Sequence, residues 1–190
     1  AVKLFANKMN AVLKLSGYRD FDVKPVPNDG SNEIQQLNKK LLYSFVSPTL
    51  DSINYWFLKK SVNLFGESLV KSIGYYKSKT GSTDSGVSVI RDFWSKNGVN
   101  KSALKIIDGS GLSPANRITT QALVTVMQYA KSRPWFESFF HALPEMNGIK
   151  MKDGYIGGVR SYTGYVKSDN GKEFTFSFIV NNFDGNPGSA

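Results

Sequence analysis

The polar side chains best suited to chemistry begin with a closely spaced pair, Ser61 and Asn63, which follows Lys59 and Lys60. A Ser-x-Asn turn can project a hydroxyl and an amide into one cleft. The hydroxyl can relay a proton, and the amide can hold a carbonyl through its paired donor and acceptor. The same residue types also favour helix entries, so on residue type alone Ser61 and Asn63 are interpreted more readily as helix caps than as a site.

A second candidate segment is Lys152-Asp153-Gly154, near the carboxyl end of the chain. Lys152 offers a compact positive charge that could bind a carboxylate. Gly154 would let a peptide backbone lie close along a strand, as in recognition by strand addition. Without a partner motif, Lys152 is interpreted more readily as a solvated surface lysine than as a ligand-binding residue.

The composition limits which chemistry is possible. The chain has no cysteine and one histidine, His141. Disulfides, thiolate metal sites, cysteine nucleophiles and multi-histidine metal sites are therefore excluded. A desolvated lysine can lose its proton near neutral pH and act as a base, which would replace the missing histidines. His141 follows two phenylalanines and is predicted to be structural.

The charge and hydrophobicity narrow the class of protein further. The 190 residues carry a net charge of +9 and are 41% hydrophobic, which excludes intrinsic disorder. No apolar run is long enough to cross a bilayer, and residues 1–5 lack a signal pattern, so we expect any export signal to lie outside this chain. The cations favour polyanionic surroundings but are scattered, so a nucleic-acid-binding domain ranks last among the alternatives.

The pattern of apolar residues predicts helices first and a sheet last. A period near 3.6 dominates up to about residue 143, with Thr119 as a helix cap and Ser47-Pro48 as a helix start. From Gly154 onward the period is two, and Asn170-Gly171 separates two strand-like runs, 159–167 and 172–181, which predicts a hairpin. Phe174, Phe176, Phe178 and Val180 alternate and are predicted to face the core. The fold class is therefore α+β, an antiparallel sheet flanked by helices.

Three segments, taken together, resemble one family. The first runs from Phe57 to Leu69 around Ser61-Val62-Asn63, the second is Asp108-Gly109-Ser110-Gly111-Leu112-Ser113 followed by Asn116, and the third runs from Ile149 to Arg160 and on to Asn182. Their order and content are similar to the D-alanyl-D-alanine carboxypeptidase/endopeptidases of the type-4 penicillin-binding protein family. Three other segments also match short sequence motifs of the family, and we interpret these matches as coincidental: Lys79-Thr80-Gly81, Ser68-x-x-Lys71 and Ser102-x-x-Lys105.

The resemblance implies a fold, a reaction and a set of site residues. Residues 1–190 would be the C-terminal part of a single penicillin-binding-protein/β-lactamase-like transpeptidase domain, with 184–190 as a disordered tail. Ser61 and Asn63 would be catalytic, and Lys152, Asp153 and Gly154 would bind substrate. The implied activity is that of a serine-type hydrolase in the bacterial periplasm or cell envelope, acting on peptidoglycan stem peptides without a metal or organic cofactor. β-Lactams would bind where the nucleophile is present.

The sequence departs from the family in two places. The Ser-x-x-Lys box that carries the family's nucleophile is not recognisable, so we expect it in a missing N-terminal part and expect this chain alone to be inactive. Asp153 stands where the family has Thr or Ser. At about 4 Å and an effective dielectric near 20, it would repel a substrate carboxylate by roughly 4 kcal/mol, which favours cross-link cleavage over carboxypeptidase activity. The alternative is a non-catalytic relative that binds peptidoglycan or a partner.

Overall fold

A computed structural model describes residues 2–17 and 46–183. The chain divides into two compact units, Ala1–Val46 and Ser47–Ala190. Helix α1, Val2–Leu15, belongs to the first unit and is followed by Gly17 at a positive φ of 87°. The second unit contains every candidate site residue. The tail predicted at 184–190 lies outside the described residues.

The second unit is built from helices followed by an antiparallel sheet, which confirms the predicted α+β class. Its elements are α2 Leu50–Lys60, α3 Asn63–Ser78, α4 Thr83–Lys96, a 3-10 turn Lys101–Ala103, β1 Leu104–Lys105, β2 Arg117–Ile118, α5 Thr120–Lys131, α6 Phe136–Ala142, β3 Glu145–Met146, β4 Ile149–Ile156, β5 Val159–Lys167 and β6 Glu173–Asn181. Among the helices of residues 2–17 and 46–183, none combines the length and apolar character needed to cross a bilayer.

Two helix starts test the predicted caps. Thr119 precedes α5, and its hydroxyl accepts a hydrogen bond from the Ala122 amide at 3.2 Å, as predicted. The predicted start at Ser47-Pro48 is wrong by two residues. Thr49 is the N-cap of α2, and its hydroxyl accepts from the Ser52 amide at 3.3 Å. Because Ser and Thr have similar cap preferences, sequence alone does not choose between them.

The sheet has the order β3-β4-β5-β6 within the described residues, and each neighbouring pair is antiparallel. Strands β5 and β6 form the predicted hairpin, with Lys167 opposite Glu173 and Gly171 in the turn at a φ of 84°. Strand β4 pairs with β5 so that Gly154 lies opposite Ser161. The hairpin thus fixes the position of the strand that carries the Lys152-Asp153-Gly154 segment.

One face of the sheet is packed against helices. Side chains alternate along a strand, so Lys152 and Gly154 share this face with their cross-strand partners and with Tyr165. The Tyr165 ring is buried with Met127 and Leu143, and its hydroxyl donates to the Met127 carbonyl of α5 at 2.6 Å. This hydrogen bond and the aromatic contacts around it attach the sheet to α5 and α6.

The opposite face of the sheet is less covered than its sequence predicts. Phe174 and Phe178 remain 51% and 57% exposed, so the prediction that this alternating set faces a core is wrong for these two rings. The physical reason is that alternation determines which side chains share a face, whereas burial depends on a second layer that the alternation does not encode.

Candidate functional site

Ser61 and Asn63 lie at the junction between two helices. Ser61 ends α2 in the left-handed conformation with a φ of 50°, Val62 is the N-cap of α3, and Asn63 is the first residue of α3. The interpretation as helix-entry caps therefore does not apply: Ser61 is the C-cap of α2, and the N-cap of α3 is Val62, whose side chain makes no capping hydrogen bond. Both Ser61 and Asn63 are exposed. In the described part of the chain, neither side chain makes a hydrogen bond, so both are free to contact a ligand.

One helical turn after Asn63, Glu67 attaches α3 to the glycine-rich turn of the second motif. Its Oε1 accepts hydrogen bonds from the backbone amides of Gly109 and Ser110, each at 3.0 Å. The backbones touch at the same place: a Cβ added to Gly66 would clash with the Gly109 carbonyl oxygen, and a Cβ added to Gly109 would clash with that of Gly66. Two of the three motifs are therefore in direct contact.

The turn that contains Gly109 and Ser110 is organised around Asp108. Its Oδ1 accepts from the Gly111 amide at 2.6 Å and from Asn116 Nδ2 at 3.1 Å, and its Oδ2 accepts from the Ser113 amide at 2.7 Å. Burial raises the pKa of Asp108, but these hydrogen bonds to the ionised form outweigh it and hold the pKa below its ordinary value. The turn is thus a stable structure of its own.

Lys152 and Asp153 form an ion pair between neighbouring residues. Lys152 Nζ donates to Asp153 Oδ1 at 2.9 Å and to the Asp153 carbonyl oxygen at 2.8 Å. Burial raises the pKa of Asp153, but the hydrogen bond and charge of Lys152, together with the charge of Arg160, outweigh it and lower the pKa overall. The ammonium group predicted to bind a substrate carboxylate therefore already has a carboxylate partner.

Gly154 lies on a part of β4 with an open edge. Strand β3 pairs with β4 only at Ile149 and Lys150, so within the described sheet residues 152–156 have a strand neighbour, β5, on one side. A Cβ at Gly154 would lie 2.7 Å from Ser161 Oγ, so a larger residue here would require the Ser161 side chain to rotate. An open edge beside a glycine can accept an extended peptide as an added strand.

A cavity of about 910 Å³ lies between the second motif and the end of β4. It is lined by residues 108–111, by the β1–β2 pair and by residues 154–157. Of the site residues predicted from the sequence, Gly154 lines this cavity, whereas Ser61, Asn63, Lys152 and Asp153 are not among its lining residues. Asn63 nevertheless lies on the same helix as Glu67, Glu67 is hydrogen-bonded to the turn, and the turn shares the cavity with Gly154.

Three of the other sequence features singled out above lie away from the cavity lining. Lys79-Thr80-Gly81 lies in the connection between α3 and α4. Ser68 and Lys71 both lie inside α3, where the Ser68 hydroxyl donates to the Leu64 carbonyl at 2.8 Å. His141 stacks on Tyr55 with ring centroids 5.5 Å apart, which agrees with a packing role. Glu67 lies within the first motif segment, but sequence reasoning assigned it no role in the site. Its signal was a position four residues after Asn63, which places both on one face of α3.

Comparisons with known proteins match most of the chain to one family. The model of the D-Ala-D-Ala carboxypeptidase 3 (S13) family matches residues 30–190. A D-alanyl-D-alanine carboxypeptidase from Actinomadura sp. (strain R39) is 31% identical, over 77% of this chain and 31% of that protein. The D-alanyl-D-alanine carboxypeptidase DacB of Haemophilus influenzae is 21% identical, over 76% of this chain and 34% of that protein.

A solved structure shows the fold. Penicillin-binding protein 4 (dacB) from Haemophilus influenzae superposes with a TM-score of 0.63 and 20% identity, over 72% of this chain and 34% of that chain. The same protein in complex with a β-lactam gives a TM-score of 0.62. The chain spans about a third of the length of these relatives and shares part of the penicillin-binding-protein fold.

Proposed function

Because the chain belongs to the D-Ala-D-Ala carboxypeptidase 3 (S13) family, we propose that it forms the substrate-binding part of a serine-type D-Ala-D-Ala carboxypeptidase/endopeptidase. The enzyme acts on peptidoglycan stem peptides in the bacterial periplasm or cell envelope. Its nucleophilic serine lies in a Ser-x-x-Lys segment outside this chain. The observation that carries the proposal is the contact between the Ser-x-Asn helix and the glycine-rich turn that lines a cavity with Gly154.

Each site residue has a role in this proposal. The substrate peptide adds as a strand along the open edge of β4, where Gly154 leaves room for its backbone. Asn63 holds a substrate carbonyl through its amide, and Ser61 relays a proton. Their exposure and their lack of hydrogen bonds within the described residues support these roles. Lys152 provides the positive charge that faces the carboxyl side of the substrate.

The reaction is acyl transfer in two steps. The serine hydroxyl gives its proton to the lysine of the Ser-x-x-Lys segment while its oxygen bonds to the carbonyl carbon of the penultimate D-Ala. The C–N bond then breaks, and the same proton passes from the lysine through Ser61 to the leaving amine. Water then attacks the ester, which releases the shortened peptide and restores the serine hydroxyl. A β-lactam would undergo only the first step and would remain attached to the serine as a covalent acyl group.

The Lys152–Asp153 ion pair supports a preference for cross-linked peptides. A free substrate carboxylate must compete with Asp153 for the same ammonium group, from which Asp153 is 2.9 Å away. A peptide bond to a neighbouring stem carries no charge at that position, so it does not meet this competition. Endopeptidase activity is therefore expected to exceed carboxypeptidase activity.

A non-catalytic protein that binds peptidoglycan or a partner is the second candidate function. The same ion pair favours it, since an engaged ammonium group is a poor carboxylate site. Intact-mass measurement after incubation with a β-lactam separates the two functions. A polypeptide that joins this chain to the N-terminal segment should gain the mass of one β-lactam, and the 190-residue chain alone should not. No gain in the longer polypeptide would exclude the enzyme and leave the binding protein.

A further inference from the structure

We propose that Glu67 is a positioning residue for the site described above. It fixes the glycine-rich turn, residues 108–111, against the start of α3, so that Asn63 and the cavity wall are held as one rigid unit. The proposal rests on the proposed function for its catalytic consequence. Its structural part can be tested on this chain alone.

The contact between Glu67 and the turn is specific and reaches far along the sequence. A single carboxylate oxygen accepts two consecutive backbone amides, from Gly109 and Ser110, which lie 42 and 43 residues later in the chain. Hydrogen bonds to an ionised acceptor are stronger than neutral ones and hold a narrower geometry. The facing glycines, Gly66 and Gly109, remove the side chains that would otherwise keep the two backbones apart.

A displacement of the turn would reach both sides of the site. On the turn side, the hydrogen bonds of Asp108 connect residues 108–116, so a shift at Gly109 moves the part of the cavity wall that the turn forms. On the helix side, Glu67 is four residues after Asn63, one turn along the same face of α3. Glu67 is therefore the link between the amide of the Ser-x-Asn box and the cavity that Gly154 lines.

The geometry predicts different effects for three substitutions of Glu67. Glu67→Ala removes the acceptor and leaves two amides without it. Glu67→Gln keeps a carbonyl oxygen in the same place, so it should preserve most of the positioning. Glu67→Asp is one methylene shorter and should behave more like Ala than like Gln. Glu137→Ala on α6, at an exposed glutamate, is the control for loss of a negative charge.

The first experiment records backbone amide NMR spectra of the 190-residue chain and its variants. Glu67→Ala should shift the amide resonances of Asn63 and of Gly154, whereas Glu67→Gln and Glu137→Ala should leave them in place. If Glu67→Ala shifts only residues within the turn, the link between the two sides does not exist and the proposal is wrong. This outcome does not depend on whether the protein is an enzyme.

The second experiment measures β-lactam acylation in the longer polypeptide that contains the nucleophile. Because small misplacement of catalytic groups is costly, Glu67→Ala should slow acylation by about 10-fold to 100-fold. Glu67→Gln should restore the rate to within a few-fold. Ser82→Ala, which removes the N-cap of α4 and lies outside the cavity lining, is the control for lost stability. A Glu67→Ala rate equal to that of Ser82→Ala would reduce Glu67 to a stability residue and overturn the proposal. Failure of the unsubstituted protein to acylate would refute the proposed function instead.

Discussion

Replacing Asp153 by threonine should convert a weak carboxylate site into a stronger one. Asp153→Thr removes the carboxylate that pairs with Lys152 Nζ at 2.9 Å and places a hydroxyl donor on β4 in its stead. The freed ammonium group and the hydroxyl can then both bind the terminal carboxylate of a D-Ala-D-Ala peptide. We expect kcat/KM of the carboxypeptidase reaction to rise, through a lower KM, in a protein that carries the nucleophile.

The size of the effect follows from the charges involved. Two unit charges about 4 Å apart interact by roughly 4 kcal/mol at an effective dielectric near 20. The Lys152 and Asp153 side chains are 26% and 38% exposed, so solvent screens much of this energy, and about 1–2 kcal/mol should remain. Since about 1.4 kcal/mol corresponds to a factor of ten in affinity, KM should fall by about 5-fold to 30-fold.

The assay compares two matched substrates that differ only in charge. A stem peptide with a free terminal carboxylate should show the fall in KM, and the same peptide with an amidated terminus should not. Asp153→Asn is the matched control, because it removes the charge but offers no hydroxyl, and it should show a smaller gain. An equal change for both peptides, or no change for either, would refute the electrostatic reasoning.

Three further predictions concern the packing around the site. Burial raises the pKa of Tyr165 from 10.0 to about 12, so the neutral phenol stabilises the folded state below pH 10, and this stability is lost as the pH rises toward 12. Tyr165→Phe should remove this alkaline loss of stability in urea unfolding curves. An unchanged dependence of stability on pH would contradict the prediction. Asp108→Asn should cost about 1 kcal/mol at pH 7, because one oxygen cannot serve all the donors around it. The pKa of Asp108 lies below its ordinary 3.8, so the stability difference between the variant and the unsubstituted protein should be present above that pH and vanish as the pH falls below the folded pKa. A stability difference that persists in acid would exclude the charge of Asp108 as its cause. Gly66→Ala should destabilise the fold by about 1–3 kcal/mol in thermal unfolding, although alanine is the better helix former. The control Gly81→Ala, where the added Cβ meets only ordinary contacts, should be nearly neutral. A stable Gly66→Ala variant would show that the backbones at Gly66 and Gly109 are not in contact.

Local sequence signals predicted most of the sheet. The Asn170-Gly171 pair and the alternation on either side of it predicted the bounds of the β5–β6 hairpin nearly to the residue. A hairpin turn depends mainly on residues that are neighbours in sequence, so a local pattern is enough to predict it. The exposure of Phe174 and Phe178 could not be predicted in the same way. Whether an apolar face is covered depends on distant elements, and the alternating pattern is identical in both cases.

The candidate site was only partly readable from the sequence. The motif order pointed to Ser61, Asn63 and the Lys152-Asp153-Gly154 segment, and Asp153 was recognised as an unfavourable charge. The bond from Lys152 to Asp153 depends on a side-chain rotamer that sequence does not specify. The role of Glu67 was missed because its partners lie 42 residues away, and a backbone amide has no sequence signature.

The proposed function requires Ser61 and Lys152 to lie on two sides of one substrate groove, and the most direct measurement is a cross-link between these two positions. The chain has no cysteine, so Ser61→Cys with Lys152→Cys can be joined by a short bis-maleimide in dilute solution. Ser61→Cys with Asp169→Cys, at the exposed tip of the β5–β6 hairpin, serves as the control pair. We expect intact-mass analysis to show an internal cross-link in the first pair and not in the second. A first pair that stays uncrosslinked, or that reacts no better than the control, would show that the hydroxyl-amide segment and the lysine do not share one groove.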